Sequence, residues 1–168
     1  MKGITKIIIA ILCVLLIVGI CKFVANKNAA KPALPDDYDG IPNPMIEYDT
    51  LEGASDDVGF NVTLPKKYKD LAQTVFVING ELLDVRLSRD EEEIATIRKA
   101  RGTGDISGVY TEYAEEVVTE IEGDDVTLKG NEGKASLATW NTGDFSYSVY
   151  IEKGVAKDEM ISMIKEIN

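Results

Sequence analysis

Residues 72–88 read AQTVFVINGELLDVRLS and contain the clearest strand and turn pattern of the chain. Positions 75–78 are apolar on both faces, which is typical of a strand in the middle of a sheet. Asn79-Gly80 indicates a tight hairpin turn, because both residues tolerate the left-handed backbone that such a turn requires. Positions 82–88 then alternate apolar and polar side chains, and this period of two predicts a second strand that pairs antiparallel with the first.

Similar patterns outside this hairpin predict further strands and two helices. Asp49 is the expected N-cap of a first helix that Gly59 ends, and a second helix is expected over 157–167. The expected fold class is therefore α+β, with an antiparallel sheet of about seven to eight strands and an N-terminal and a C-terminal helix packed on it. The expected strands are 60–64, 72–78, 82–88, 94–100, 115–121, 126–130, 135–140 and 145–151.

Two hairpins with four-residue turns are expected in the C-terminal half of the chain, at 122–125 and at 141–144. The second turn would set Trp140 opposite Phe145. Aromatic residues that face each other across two strands stabilise a sheet. We therefore expect the structural core to include Trp140, Phe145 and Tyr147.

Residues 1–25 contain a long apolar run that we interpret as a membrane anchor. Positions 4–25 make a run of about 22 residues, enough to cross a hydrocarbon core of about 30 Å if Lys22 extends its ammonium to the interface. A cleaved signal peptide and a lipoprotein signal are the alternatives, although the residues before Cys13 and Cys21 are larger than a lipoprotein signal requires. The expected organisation is an anchor or signal segment at 1–25, a proline-rich linker at 26–46 and an extracytoplasmic α+β domain at 47–168.

The charge of the chain is divided between its two ends. Residues 1–31 hold five of the 18 basic residues and no acid, so the rest holds 13 basic and 29 acidic residues, a net charge of −16. Such a surface repels nucleic-acid phosphates, so no nucleic-acid partner is expected. We expect the acidic domain to be monomeric and to fold without metal.

The residue inventory excludes several chemistries. The chain has no His, and both of its cysteines lie in the apolar run. Nucleophilic catalysis by a Ser–His or Cys–His pair is therefore excluded, and the commonest zinc ligand is missing. We expect no catalytic, cofactor-binding or metal-binding residues.

The order of several short motifs resembles an uncharacterised family of extracytoplasmic bacterial domains. Members of that family follow one membrane segment and are sometimes attached to anti-sigma factors. The resemblance implies a fold distantly like that of lipoprotein carriers, in which a curved antiparallel sheet wraps helices, and it implies no reaction. The chain departs from the family at Ala156, where a Ser or Thr usually caps the last helix. The motifs are NPMIEY at 43–48, VGF at 58–60, LP at 64–65, IRKA at 97–100, DISG at 105–108, ATW at 138–140 and YS at 147–148, followed by the terminal helix.

These features predict a non-catalytic binding or sensory module. We expect it to be a single-pass protein of the cell membrane, with its C-terminal domain extracytoplasmic and with an envelope protein as its partner. One alternative is a carrier or chaperone for an apolar ligand, which would need a cavity of ligand size. Another is a carboxylate-based hydrolase, which would need two carboxylates across a cleft.

One candidate binding surface is a basic stripe on two strands that we expect to be neighbours. Arg offers bidentate hydrogen bonds to a carboxylate or phosphate, so such a stripe could hold an anionic partner. The alternative is that Asp84 and the acids at 90–93 neutralise the stripe internally. The stripe consists of Arg86, Arg98, Lys99 and Arg101.

A second candidate surface is aromatic. Exposed tyrosines can form a platform for a sugar or a peptide, whereas half-buried tyrosines in a sheet keep only the hydroxyl in water. The residues concerned are Tyr110, Tyr113 and Tyr150.

Overall fold

The computed structural model describes residues 43–167 of the chain. The expected membrane segment at 1–25 and most of the expected linker lie outside the described residues. Within 43–167, every helix is too short or too polar to cross a membrane.

Eight antiparallel strands form one open sheet, and two helices pack on it, so the expected α+β class is confirmed. The strand order is β1-β2-β3-β4-β8-β7-β6-β5. Two four-strand meanders therefore meet where β4 pairs with β8. The elements are β1 (Met45–Tyr48), α1 (Leu51–Val58), a short 3-10 helix (Lys66–Tyr68), β2 (Ala72–Ile78), β3 (Leu82–Arg89), β4 (Glu92–Arg101), β5 (Glu115–Ile121), β6 (Asp124–Gly130), β7 (Lys134–Thr142), β8 (Phe145–Ala156) and α2 (Lys157–Ile164).

One face of the sheet, which we call the core face, packs against both helices. Leu83, Val85 and Leu87 of β3 are completely buried there, in one cluster with Ala54 of α1 and Met160 of α2. Helix α1 contacts β1, β2 and β3, whereas α2 contacts β7 and β8. Successive side chains of a strand alternate between faces, so the polar positions of β3 lie on the opposite, outer face.

Both helices form where expected, but their ends differ from the prediction. The N-cap of α1 is Thr50 rather than Asp49, since Thr50 Oγ1 accepts a hydrogen bond from the Gly53 amide at 3.1 Å. Both residue types cap helices well, so the local pattern could not decide between them. Gly59 ends α1 in the left-handed conformation, as predicted. Helix α2 begins without a side-chain cap at Ala156 and ends three residues earlier than predicted.

The expected strand at 60–64 is absent, and a strand from the expected linker takes the sheet edge instead. The segment 60–64 alternates because it buries Val62 and Leu64 against the core while it pairs with no strand. Strand β1 pairs with β2, and Met45 lies opposite Ile78. The four residues of β1, MIEY, do not alternate apolar and polar side chains, so the sequence gives no strand signal there.

The prediction of four-residue turns was wrong at both places, because the chain turns in two residues at each of them. Glu122 and Gly123 have φ of 55° and 96°, and Gly143 has φ of 56°. Mirror-image turns of this kind match the twist of the flanking strands. The register moves by two residues as a result, so Trp140 lies opposite Tyr147, not Phe145. An even shift keeps each side chain on its predicted face.

Trp140 and Tyr147 form the aromatic centre of the β7–β8 hairpin. Their rings stack with centroids 5.1 Å apart and planes 6° from parallel. Trp140 is 5% exposed. Phe145 is half-buried and contacts Phe60 edge-to-face at 5.2 Å.

Replacement of Trp140 by Ala removes the ring that stacks on Tyr147 and leaves a cavity. We expect the free energy of unfolding to fall by about 3–5 kcal/mol, measured by urea denaturation. Tyr110→Ala is the matched control, because Tyr110 is 96% exposed; this change should alter stability by less than about 0.5 kcal/mol. Equal stability of the two variants would contradict the packing described here.

Candidate functional site

The strands that carry the basic stripe are neighbours, as expected, but the stripe is divided between the two faces of the sheet. Arg98 lies opposite Asp84 in the β3–β4 pair, and Lys99 lies opposite Leu83. Arg86 and Arg98 therefore point to the outer face, and Lys99 and Arg101 to the core face. The two halves of the stripe have different surroundings.

Asp84 pairs with both arginines of the outer-face half. Its side chain is completely buried. Arg98 donates to Asp84 Oδ2 from Nε at 2.9 Å and from Nη2 at 2.7 Å, and Arg86 Nε donates to Oδ1 at 3.2 Å. The internal pairing weighed against partner binding is therefore present at Arg86 and Arg98.

Arg98 also holds the loop that connects β4 to β5. Its Nη1 donates to the carbonyl oxygens of Ile106, at 3.3 Å, and Ser107, at 2.5 Å. Gly108 has φ of 63°, and a Cβ there would lie 2.5 Å from Arg98 Nη1, so no other residue fits without moving the arginine. Two short motifs of the sequence, at 97–100 and 105–108, meet in this contact.

Removal of the Asp84 carboxylate should leave the Arg98 guanidinium unpaired beneath the loop. We expect Asp84→Ala to lower the free energy of unfolding by about 3–5 kcal/mol, because an uncompensated charge remains in a buried site. Backbone amides of residues 102–114 should also exchange hydrogen faster. Asp125→Ala is the control, since Asp125 is exposed. Unchanged exchange in the loop of the Asp84→Ala variant would contradict the role of Arg98.

Lys99 lies in an aromatic environment on the core face and is 6% exposed. Its Nζ is 4.6 Å from the ring centroid of Phe145, 5.0 Å from that of Tyr147 and 5.9 Å from that of Phe60. Within 43–167, no carboxylate pairs with Nζ. Burial lowers the pKa of Lys99 below its ordinary value. Cation–π contacts contribute about 0.5–2 kcal/mol, which is less than the several kcal/mol needed to desolvate an ammonium.

Arg101 also lies against the ring of Phe145, but unlike Lys99 it is exposed to solvent. Its Cζ is 5.1 Å from the centroid of Phe145, and its Nη2 donates to the Gly59 carbonyl, at the end of α1, at 3.3 Å. No described carboxylate pairs with Arg101 either. We call this group the Lys99–Arg101 site, made of Lys99, Arg101, Phe60, Phe145 and Tyr147.

The Lys99 ammonium is not completely sealed from solvent by the described part of the chain. Ser55 Oγ is the one side-chain polar atom there that is both completely buried and without a hydrogen-bond partner. Lys99 Nζ has no hydrogen-bond partner among the described residues, so it must retain some contact with water. Lys99 and Arg101 both lie against the Phe145 ring, with Nζ of Lys99 4.6 Å and Cζ of Arg101 5.1 Å from its centroid.

The sequence did not indicate the contribution of Phe60 to this site. Its position was assigned to a strand, whereas Phe60 follows the helix-ending Gly59 and packs edge-to-face on Phe145. The signal that could have found it is the combination of a C-capping glycine with the next aromatic residue, because the cap turns the chain back over the sheet.

The three candidate tyrosines have different surroundings. Tyr110 extends into solvent, whereas Tyr113 and Tyr150 are half-buried. Burial raises the pKa of Tyr113, and the nearby Tyr150 adds to the rise. The structure thus brings Tyr113 and Tyr150 close together.

A surface cavity of about 200 Å³ lies between the 3-10 helix and β8. Among its lining residues, Glu92 pairs with Lys153, and Glu93 accepts a hydrogen bond from the Thr96 hydroxyl at 2.6 Å. Ligand pockets usually have volumes of about 300–1,000 Å³. Residues 43–167 contain no group of three acidic or cysteine side chains placed to hold a metal ion.

Comparison of the chain with models of protein families, with curated proteins and with solved structures gives no match.

Replacement of Lys99 by Met should stabilise the domain near neutral pH. In the folded native protein, burial holds the pKa of Lys99 below its ordinary value of 10.5. At a pH below the folded pKa, Lys99 is charged in both states and the full burial penalty applies. As pH rises toward 10.5, the folded state loses the proton first, so the native protein gains stability.

We therefore expect the free energy of unfolding of the Lys99→Met variant to exceed that of the native protein by on the order of 1 kcal/mol at pH 7. This difference should shrink as pH rises toward 10.5. Denaturant titration over this pH range measures the difference. Lys165→Met is the control, because Lys165 is exposed. Its free energy of unfolding should differ from that of the native protein by an amount that does not depend on pH. If the Lys99→Met variant is less stable than the native protein at every pH, the charge of Lys99 is not an unpaired, desolvated one.

Proposed function

We propose that the chain is a non-catalytic binding or sensory module that stands outside the cell membrane and contacts an anionic group of an envelope partner through the Lys99–Arg101 site. One observation carries this proposal: Lys99 and Arg101 are the half of the basic stripe that no described carboxylate neutralises. The other half, Arg86 and Arg98, is engaged with Asp84, so the proposal excludes it.

The energetics of the site favour an anion from outside the chain. The planar guanidinium of Arg101 offers two parallel N–H donors to a carboxylate, and the ring of Phe145 holds it in place. The charge of Lys99 lies beneath, where weak solvent screening strengthens its attraction to the same anion. A bound carboxylate would thus supply the counter-charge that Lys99 lacks and raise the pKa of Lys99 toward its ordinary value.

Support for the membrane tether comes from the sequence. Residues 4–25 are long and apolar enough to cross a bilayer. The resemblance to extracytoplasmic bacterial domains behind one membrane segment favours an outward-facing domain. An Arg anchored on aromatic rings is a common centre of protein interfaces, which favours a protein partner.

The geometry gives less support to the two alternatives. A carrier for an apolar ligand needs a larger cavity than the surface cavity of about 200 Å³. A carboxylate-based hydrolase needs two free carboxylates across a cleft, whereas Glu92 and Glu93 of this cavity are engaged with Lys153 and Thr96.

Capture of envelope proteins by the full-length chain in its membrane tests the proposed function. We expect Arg101→Glu to reduce capture of the specific partner at least tenfold, because it replaces the exposed cation with a repelling charge. Lys99→Met should also weaken capture although it stabilises the fold. Arg89→Glu is the matched control, since Arg89 is exposed at the opposite end of β3 from the site.

Mass spectrometry of the captured proteins and the melting temperature of each variant complete the experiment. Arg98 is unsuitable for this test because it holds the β4–β5 loop. If the native chain and the folded Arg101→Glu variant capture the same proteins equally, the Lys99–Arg101 site is not the contact surface.

A further inference from the structure

Strand β5 presents a long unpaired edge. It pairs with β6 only, and no other strand of residues 43–167 reaches its outer side. The strand has seven residues, no Pro and a regular register with β6, whereas β1 at the other edge has four residues. Edge strands of this length usually carry some protection, since their free backbone groups can pair with another chain.

Two of the exposed side chains of β5 are large and apolar. Val117 is 44% exposed on the core-face side of the strand, and Val118 is 60% exposed on the outer-face side. The only other large apolar side chain that is exposed within 43–167 is Tyr110. Apolar surface on both sides of an unpaired edge is suited to a strand that adds to the sheet.

Two acidic residues of β5, Glu116 and Glu120, face side chains of opposite charge sign on β6, the first basic and the second acidic. Glu116 lies opposite Lys129 and pairs with its Nζ at 3.3 Å. Glu120 lies opposite Asp125, and like charges directly across two strands repel each other. Glu120 of β5 and Asp125 of β6 are therefore two neighbouring carboxylates that no described basic residue neutralises.

The positions of Glu116 and Glu120 disfavour pairing of β5 with a second copy of itself. In an antiparallel pair of two β5 strands centred on Val118, Glu116 of each copy faces Glu120 of the other, so two like-charge contacts form. The pair of Glu116 with Lys129 is exposed to solvent and therefore weak, so Glu116 and Glu120 can both attract a strand that carries Lys or Arg at the facing positions. The edge is thus protected against its own copy and open to a basic strand.

We propose that β5 is a docking strand for an extended protein segment with two basic residues four positions apart and an apolar residue between them. Backbone hydrogen bonds to the free edge provide the affinity, and the two carboxylates select the sequence. This surface contains no residue of the Lys99–Arg101 site, so the inference does not depend on the proposed function.

Charge reversal tests the protection against self-pairing, with the full-length chain in detergent and native mass spectrometry as the readout. Glu120→Lys should dimerise, because each new cation then faces Glu116 of the other copy. The double variant Glu116→Lys/Glu120→Lys restores like charges and should remain monomeric. Glu132→Lys, in the β6–β7 turn, is the control for a changed net charge. A monomeric Glu120→Lys variant would overturn the proposed geometry of the edge.

Fluorescence anisotropy with short labelled peptides tests the partner. The native chain should bind Lys-Thr-Val-Thr-Lys at least tenfold more tightly than Glu-Thr-Val-Thr-Glu, and the double variant should reverse this preference. Lys-Lys-Val-Thr-Thr has the same charge with the wrong spacing and should bind several-fold more weakly. Equal binding of the two lysine peptides would indicate non-specific attraction to an acidic domain, and absence of saturable binding at millimolar peptide would equally overturn the proposal.

Discussion

The pairing of β4 with β8 holds the two halves of the sheet together. It joins two meanders that are separate in the sequence, and it decides which side chains of β4 meet which side chains of β8. In this register Lys99 lies opposite Tyr147, and Arg101 lies opposite Phe145. The contact of two cations with aromatic rings is therefore a direct consequence of the strand pairing.

The alternation of side chains along β4 places consecutive basic residues in opposite environments. Arg98 points to the outer face, where the buried Asp84 neutralises it and a loop covers it. Lys99 points to the core face, where aromatic rings remove water and no described carboxylate replaces it. One charge is stabilising because it is paired and hydrogen-bonded, and the other is retained at a cost to stability. Residues held at such a cost are common at binding sites.

Predictions that depend on residues close together in the sequence agree with the structure better than predictions that depend on distant residues. The hairpin at 72–88, Trp140 in the core and the start of α2 depend on periodicity and turn residues within a few positions, and the structure has all three. The predicted turn at 122–125 was two residues too long, because Glu122 adopts the left-handed backbone that Asn or Gly adopts more easily. The edge strand β1 was missed, because four residues next to prolines show no period.

The amino-acid sequence alone predicted the fold class and the faces of most strands, and it excluded Ser–His and Cys–His pairs, because alternation and residue inventory are local properties. It also determined that the basic residues of 86–101 would lie on neighbouring strands. The tertiary structure selects among the pairings that the sequence left open: the β3–β4 register sets Asp84 opposite Arg98, and the carbonyls of 106–107 and Phe60 reach the stripe from other parts of the chain. A charge is paired or unpaired according to contacts across distant segments, and no local pattern records those contacts.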